Sequence, residues 1–273
     1  MRRTVVLAAI LAAAWAAVAA ADGGGPSPGV DQGDYGILSP DGKLRYLAIP
    51  AWNRTFAEAV TTRGAHVVRM TFLRGAFGIP FVAVDGTTGG LARSGNRLVL
   101  GQAPYGRQPP AYSRFVVLDR RNFHVQARLR LKGSWAFDAI SPTGSLMYLI
   151  QFLGAPNSGR YSVRALNLNT GRLYPGAIVD GRKPYQKMTG QPATRVESRD
   201  GWAYTLYGRT GKGPFVHALD TLHRKAFCVD LPWRATKAWL WRVRLQLKGG
   251  DLLLRRAAKV IARVDTKTLE VRT

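Results

Sequence analysis

The chain of 273 residues carries 40 Lys and Arg against 16 Asp and Glu, a formal charge of +24 that excludes an acidic, halophile-type surface. Hydrophobic residues at 46% and aromatics at 10% exclude a disordered chain and leave apolar material for one or two domains. A single cysteine, Cys228, excludes an intramolecular disulfide framework and any multi-cysteine metal site.

In chain order, Arg2 and Arg3 precede an uncharged, alanine-rich stretch from Thr4 to Ala21 that ends in small residues spaced as Ala-x-Ala. A charged start, an apolar run and small residues at the end predict a secretory signal peptide over residues 1–21. Its removal takes two arginines and no acid, leaving a charge of +22. Residues 22–33, with Gly23-Gly24-Gly25-Pro26-Ser27-Pro28, read as a flexible leader to a domain over 34–273.

That domain repeats itself. Ser39-Pro40-Asp41-Gly42 before an apolar run returns as Ser141-Pro142-Thr143-Gly144 and as Ser198-Arg199-Asp200-Gly201, with weaker copies at Gly95 and Gly249. The glycines at 42, 95, 144, 201 and 249 recur at intervals of 53, 49, 57 and 48 residues. Proline presets φ, aspartate bonds its own backbone and glycine takes the left-handed position, so each phrase predicts a tight turn into a strand. A second phrase, an apolar strand ended by an Asx turn, alternates with the first around Asp119, Asn169, Asp220 and Asp265. Each repeat then holds four strands, placed in the clearest copy near 135–140, 145–152, 160–168 and 172–179. Four-stranded units at this period predict an all-β fold, a β-propeller of about five blades. The irregular stretch over 50–95 leaves room for a sixth or a distorted blade.

On these residues, from Leu118-Asp119 through Ser141-Pro142-Thr143-Gly144 to Tyr148-Leu149, the chain resembles the secreted YVTN-type β-propeller family with its Ser-Pro-Asp-Gly turn. The resemblance implies a fold and no single activity. Some members resemble lactonases, and many are binding or scaffold proteins.

Catalytic signatures are sparse. Asp41, Asp119, Asp200, Asp220 and Asp265 fall on the repeated turns, and the remaining acids form no local general acid–base pair. His66, His124, His217 and His223 make no metal-binding pair, and His124 and His217, at alternating strand positions, read as half-exposed structural histidines. Cys228, between Phe227 and Val229, reads as a small buried hydrophobe. No phosphate loop, nucleophile elbow or dinucleotide fingerprint occurs, so no catalytic residue, metal or cofactor is assigned. Counting back six residues from the turn glycine aligns Asp138 with Arg195, which makes them candidates to line a central channel from neighbouring blades.

The repeat also sorts the charge. Turns between strands one and two, and three and four, fall on one end of the fold and receive the turn aspartates. The other end receives acid-free loops carrying Arg107, Arg114, Arg182, Lys183, Lys187, Arg209 and Lys212, with Tyr105, Tyr112, Tyr185 and Trp233 among them. A basic face of this kind concentrates anions. The expected protein is secreted or extracytoplasmic, associated with the cell envelope, and non-catalytic. Its expected partner is an anionic cell-envelope polymer, an acidic glycan, an anionic lipid surface or another protein, and export argues against nucleic acid. The alternative is a lactonase-like or other hydrolase with its site at the channel mouth.

Overall fold

A computed structural model describes residues 29–33, 35–103, 110–154, 160–183, 188–209 and 212–273. Arg107, Lys187, Tyr105, Tyr185 and the segment expected to be a signal peptide lie outside these residues. The described strands form five antiparallel sheets that follow one another along the chain. The first holds β2 (Ile37–Leu38), β3 (Leu44–Ala51), β4 (Arg54–Thr61) and β5 (Val67–Arg74). The second holds β6 (Phe77–Pro80), β7 (Arg97–Gln102), β8 (Tyr112–Asp119) and β9 (Val125–Lys132), and β1 (Val30–Asp31) adds to it beside β6. The third is β10 (Trp135–Ile140), β11 (Leu146–Phe152), β12 (Tyr161–Asn167) and β13 (Arg172–Leu173). The fourth is β14 (Gln191–Glu197), β15 (Trp202–Gly208), β16 (Phe215–Asp220) and β17 (Lys225–Asp230). A one-turn helix, α1 (Lys237–Leu240), leads to the fifth: β18 (Val243–Lys248), β19 (Asp251–Arg256), β20 (Lys259–Asp265) and β21 (Val271–Arg272).

The expected strands of the third sheet are present within a residue or two, apart from the last. β13 pairs for only two residues, because Pro175 has no N–H and Gly176 turns the chain at φ 75°. Ile178 then rejoins through a single bridge to Val163. No sixth sheet occurs among the described residues, and 81–96 runs instead as a long connection between β6 and β7.

The turn phrase works through a residue that the sequence reading had not credited. The serine that opens each copy bonds the strand that follows: the Ser39 hydroxyl accepts from Leu44 N at 2.9 Å, Ser141 from Leu146 N at 3.0 Å and Ser198 from Trp202 N at 2.8 Å. Gly42 and Gly144 donate back to the serine carbonyl, each at 2.8 Å, from positive φ. The Asx turns are also present, with Asp119 accepting from Arg121 N at 2.8 Å and Asp265 from Lys267 N at 2.8 Å. In the third sheet the Asx residue is Asn167, which accepts from Asn169 N, and not Asn169 itself.

Neighbouring sheets pack face to face, and each shared face is an apolar cluster. The first and second sheets bury Ala48, Ala57, Ile79, Leu98, Leu100 and Val116 together. The second and third share Val99, Phe115, Val117, Phe137 and Leu149, and the fourth and fifth share Tyr204, Val216, Leu252, Leu254 and Val264. Burial of each such side chain stabilises by about 1.5–3 kcal/mol. The connection after β6 then ties the first strands together. Thr88 donates to Gly36 O beside β2 at 2.8 Å, and a side chain added at Gly89 would run into Phe137 of β10. Val84 N donates to Pro192 O and Asp85 N to Ala193 O on β14, at 2.9 and 3.2 Å. The Asp85 carboxylate lies 3.9 Å from Arg244 Nε on β18. One loop thus continues from β6 and reaches β10, β14, β18 and the residue before β2, and the arrangement is propeller-like.

Candidate functional site: a basic loop end and a buried polar row

Because the strands alternate in direction, connections alternate between two ends of the fold. The serine and Asx turns occupy one, here the turn end. The other, the loop end, holds the β3–β4 turn, the β7–β8 connection and the segments after β5, β9 and β17.

Asp138 and Arg195 do meet, as a buried ion pair between the third and fourth sheets, each side chain 1% exposed. Arg195 donates to the Asp138 carboxylate and, through its other terminal nitrogen, to the Asp138 carbonyl. Its Nε donates to Thr205 Oγ1 at 2.7 Å. The pair belongs to a transverse row, since Arg195 pairs in register with Thr205, Thr205 with His217 and His217 with Cys228. Residues opposite one another across strands share a sheet face, so the row is one polar stripe in an apolar wall.

Burial governs its titration. It opposes the Arg195 charge, but Asp138 and Glu197 outweigh it and hold the guanidinium protonated. It pushes the Glu197 carboxyl up. It pushes His217 down to about 4, leaving a neutral imidazole. It pushes the Cys228 thiol up to about 12, so the thiolate is suppressed. His217 is fully buried, not half-exposed as its strand spacing suggested, because neighbouring sheets cover both faces of β16. Asp138 Oδ2, His217 Nδ1 and the Tyr161 hydroxyl are buried without a hydrogen-bond partner among the described residues. From Asp138 to His217 the row is buried, with only Cys228 at its outer end partly exposed, so the ion pair is placed to orient the two sheets rather than to receive a substrate from solvent.

The candidate cations divide. Arg182, Lys183 and Arg209 gather at the outer loop end of the fourth sheet, where acids meet them. Lys183 Nζ lies 2.9 Å from one oxygen of Asp230 and Arg209 Nη2 2.6 Å from the other. Despite partial burial, those bonds hold the Asp230 carboxyl below the usual range. Arg182 lies 3.9 Å from Asp180. Lys212 is exposed. Trp233 packs edge-on against Trp239 in the fourth–fifth sheet core and is not a surface platform.

Arg114 is in a different setting. It lines a groove of about 420 Å³ at the loop end, between the first and second sheets, together with Arg74, Arg128 and Arg130. Register places Arg114 opposite Arg130, and Val116 opposite Arg128, on the face of β8 and β9 turned towards the first sheet. Arg74 ends β5 across the groove. Arg130 stacks over the Tyr112 ring at 3.5 Å, and Arg114 donates to Gln102. Among the described residues no acid lines this groove. Like charges placed opposite one another disfavour the free sheet, so four guanidiniums without a carboxylate form an anion-ready surface. Arg74, Arg128 and Arg130 were missed because strand alternation alone marks them as ordinary outward residues. The signal was the run Arg128-Leu129-Arg130-Leu131-Lys132, which presents cations on every second position.

No protein-family model and no curated protein matches the chain. Among solved structures it is similar to an acylaminoacyl peptidase from Pyrococcus horikoshii, at 10% identity and a TM-score of 0.50, over 85% of this chain and 39% of that one. It is also similar to TolB from Acinetobacter baumannii, at 12% identity and a TM-score of 0.42, over 86% of this chain and 52% of that one. BamB from Moraxella catarrhalis matches at 14% identity and a TM-score of 0.43, over 83% of this chain and 62% of that one. The chain therefore spans between 39% and 62% of the length of these structures. At such identities the likeness shows the fold alone.

Proposed function

We propose that this protein is an extracytoplasmic, non-catalytic binding or scaffold protein, a propeller of the YVTN-like kind, that engages an anionic partner through its loop end. The observation that carries the reading is the acid-free groove of Arg74, Arg114, Arg128 and Arg130. Arginine's planar fork suits phosphate, sulfate and carboxylate groups, and a cleft lined by one sign of charge focuses field and raises local anion concentration. The charge of +22 left after cleavage adds long-range attraction, and the Arg2-Arg3 start with its apolar run supports export behind a cleaved signal peptide. In the polar row, Asp138 and His217 are buried, and partly exposed Cys228 has its thiolate suppressed, which weighs against a hydrolytic alternative.

The test is binding to immobilised heparin, a soluble-polymer polyanion, across salt. Retention should fall steeply from low to near-physiological salt, where screening acts over about 8–10 Å. Reversing Arg74, Arg114 and Arg130 to Glu should remove most of it. Reversing Arg63, Arg172 and Arg199, exposed at the turn end, should remove much less for the same change in net charge. Equal losses would show that overall basicity alone binds, and no binding at low salt would end the reading.

A further inference from the structure

The loop end of the first sheet carries a surface that the fold does not use. Trp52 stands at the tip of the β3–β4 hairpin and is fully exposed, at 101%. The hairpin turn is two residues long, Trp52 and Asn53, because Ala51 pairs with Arg54. Trp52 has φ 57°, the left-handed region that glycine and asparagine fill at little cost and a bulky aromatic fills under strain. A large apolar ring held in a strained turn and packed on none of the described residues adds no burial to the fold, and such strain often marks a functional site.

Behind the tip, Ile49, Phe56 and Phe72 form one cross-strand row, with the Phe56 and Phe72 rings 4.4 Å apart. Phe72 is 54% exposed and Ile49 36%, and Met70 continues the apolar surface in the next row beside Glu58. The opposite face of the same strands buries Ala48 and Ala57 against the second sheet, and this face belongs to none of the apolar clusters. Arg54 and Arg74, opposite one another in the row nearest the tip, are both exposed. Arg74 also walls the arginine groove, so the apolar tip and the four-guanidinium groove adjoin at one end of the molecule.

An aromatic wedge bordered by arginines is complementary to a negatively charged surface with an apolar interior beneath it. Tryptophan prefers the membrane–water interface, where an apolar body and a polar edge are both satisfied. Each basic residue near an anionic leaflet adds attraction, and arginine pairs with phosphate. We infer that the loop end of the first two sheets docks on an anionic lipid bilayer, with Trp52, Ile49 and Phe72 entering the headgroup region and Arg54, Arg74, Arg114 and Arg130 meeting lipid phosphates. This rests on the anionic-partner reading above and names the partner.

The test is co-sedimentation of the purified protein with vesicles of phosphatidylcholine alone and of phosphatidylcholine mixed with phosphatidylglycerol, beside heparin retention. The protein should sediment with the mixed vesicles and not with phosphatidylcholine alone. Trp52→Asn suits the left-handed turn and so should melt like the parent. It should weaken vesicle binding about tenfold, the loss of one large buried side chain, and leave heparin retention unchanged. Leu222→Asn, an exposed apolar residue at the turn end, should change neither. Heparin retention without vesicle binding would overturn the lipid docking and leave the anionic-partner reading standing, as expected if the apolar tip serves a protein instead. Unchanged vesicle binding in Trp52→Asn would also overturn it. Loss of both kinds of binding in the parent would remove both readings.

Discussion

The Asp138–Arg195 pair offers the sharpest stability test, because its two halves are not equivalent. Among the described residues, Arg195→Met removes the one hydrogen-bond partner of the Asp138 carboxylate, whose Oδ2 already lacks one. A buried carboxylate would then stand alone, and breaking such a pair from one side costs about 3–5 kcal/mol. Asp138→Leu leaves Arg195 its bonds to the residue-138 carbonyl and to Thr205, with the Glu197 charge nearby. Arg195→Met should therefore lie near the top of that range and Asp138→Leu near the bottom. The double variant removes both charges and should lose less than the sum, with a coupling of about 2 kcal/mol. For a domain whose whole stability is about 5–15 kcal/mol, either single change is readable in urea unfolding at constant m. A loss below about 1 kcal/mol for Arg195→Met is what an exposed ion pair would give, and it would refute the buried pairing. Additive losses would show that the two side chains do not act on each other.

His217 binds a proton near pH 6.5 when unfolded but only near 4 when folded, so between those values unfolding takes up a proton and acid favours the unfolded chain. About 3 kcal/mol of stability should be lost as pH falls from about 6.5 to 4, and His217→Gln should flatten that limb of the pH–stability curve; an unchanged limb would place the imidazole in solvent. Gly144 sits at φ 78°, with Ala92 and Arg97 each 3.1 Å from where a side chain would begin. Gly144→Val should cost about 1–3 kcal/mol in thermal melting, and an unaltered curve would contradict the turn.

Sheet membership was legible in the sequence because turn chemistry is local. Serine, proline, aspartate and glycine announce a turn within four residues, and three full copies with two weaker ones each mark the link between the first two strands of a sheet. β13 was over-extended for a local reason too, since the Pro175-Gly176 break lies inside an otherwise apolar run. The connection over 81–96 was not legible, because what it does is entirely non-local. Val84, Asp85, Thr88 and Gly89 bond or abut residues from Gly36 to Arg244, and no periodicity along the chain encodes contacts of that range. The alignment of Asp138 with Arg195 was visible as a shared offset from two turn glycines. That the offset produces contact across two sheets depended on how neighbouring sheets stack. Trp52 left no mark in the sequence reading because an exposed tryptophan and a core tryptophan look alike without a turn assignment.

The acids decide which cations remain free, and turn chemistry decides where the acids are. Asp119 and Asp265 hold their own turns and also meet Arg121 and Arg272, so turns that require an Asx residue arrive with a counter-charge. The loop that carries Arg182 and Lys183 is free of acids only from the residue after Asp180, and the segment after β17 only from the residue after Asp230. Those two carboxylates meet Arg182, Lys183 and Arg209 at the fourth sheet. At the loop end of the first two sheets the β3–β4 turn is Trp52-Asn53 and the residues joining β5 to β6 are Gly75 and Ala76, neither of which supplies a carboxylate. Positive charge left without an acid therefore concentrates there by construction. A five-arginine share of the positive charge, Arg54, Arg74, Arg114, Arg128 and Arg130, thus lies beside the strained and fully exposed Trp52, and a partner that satisfies both features must be anionic at its surface and apolar just below it.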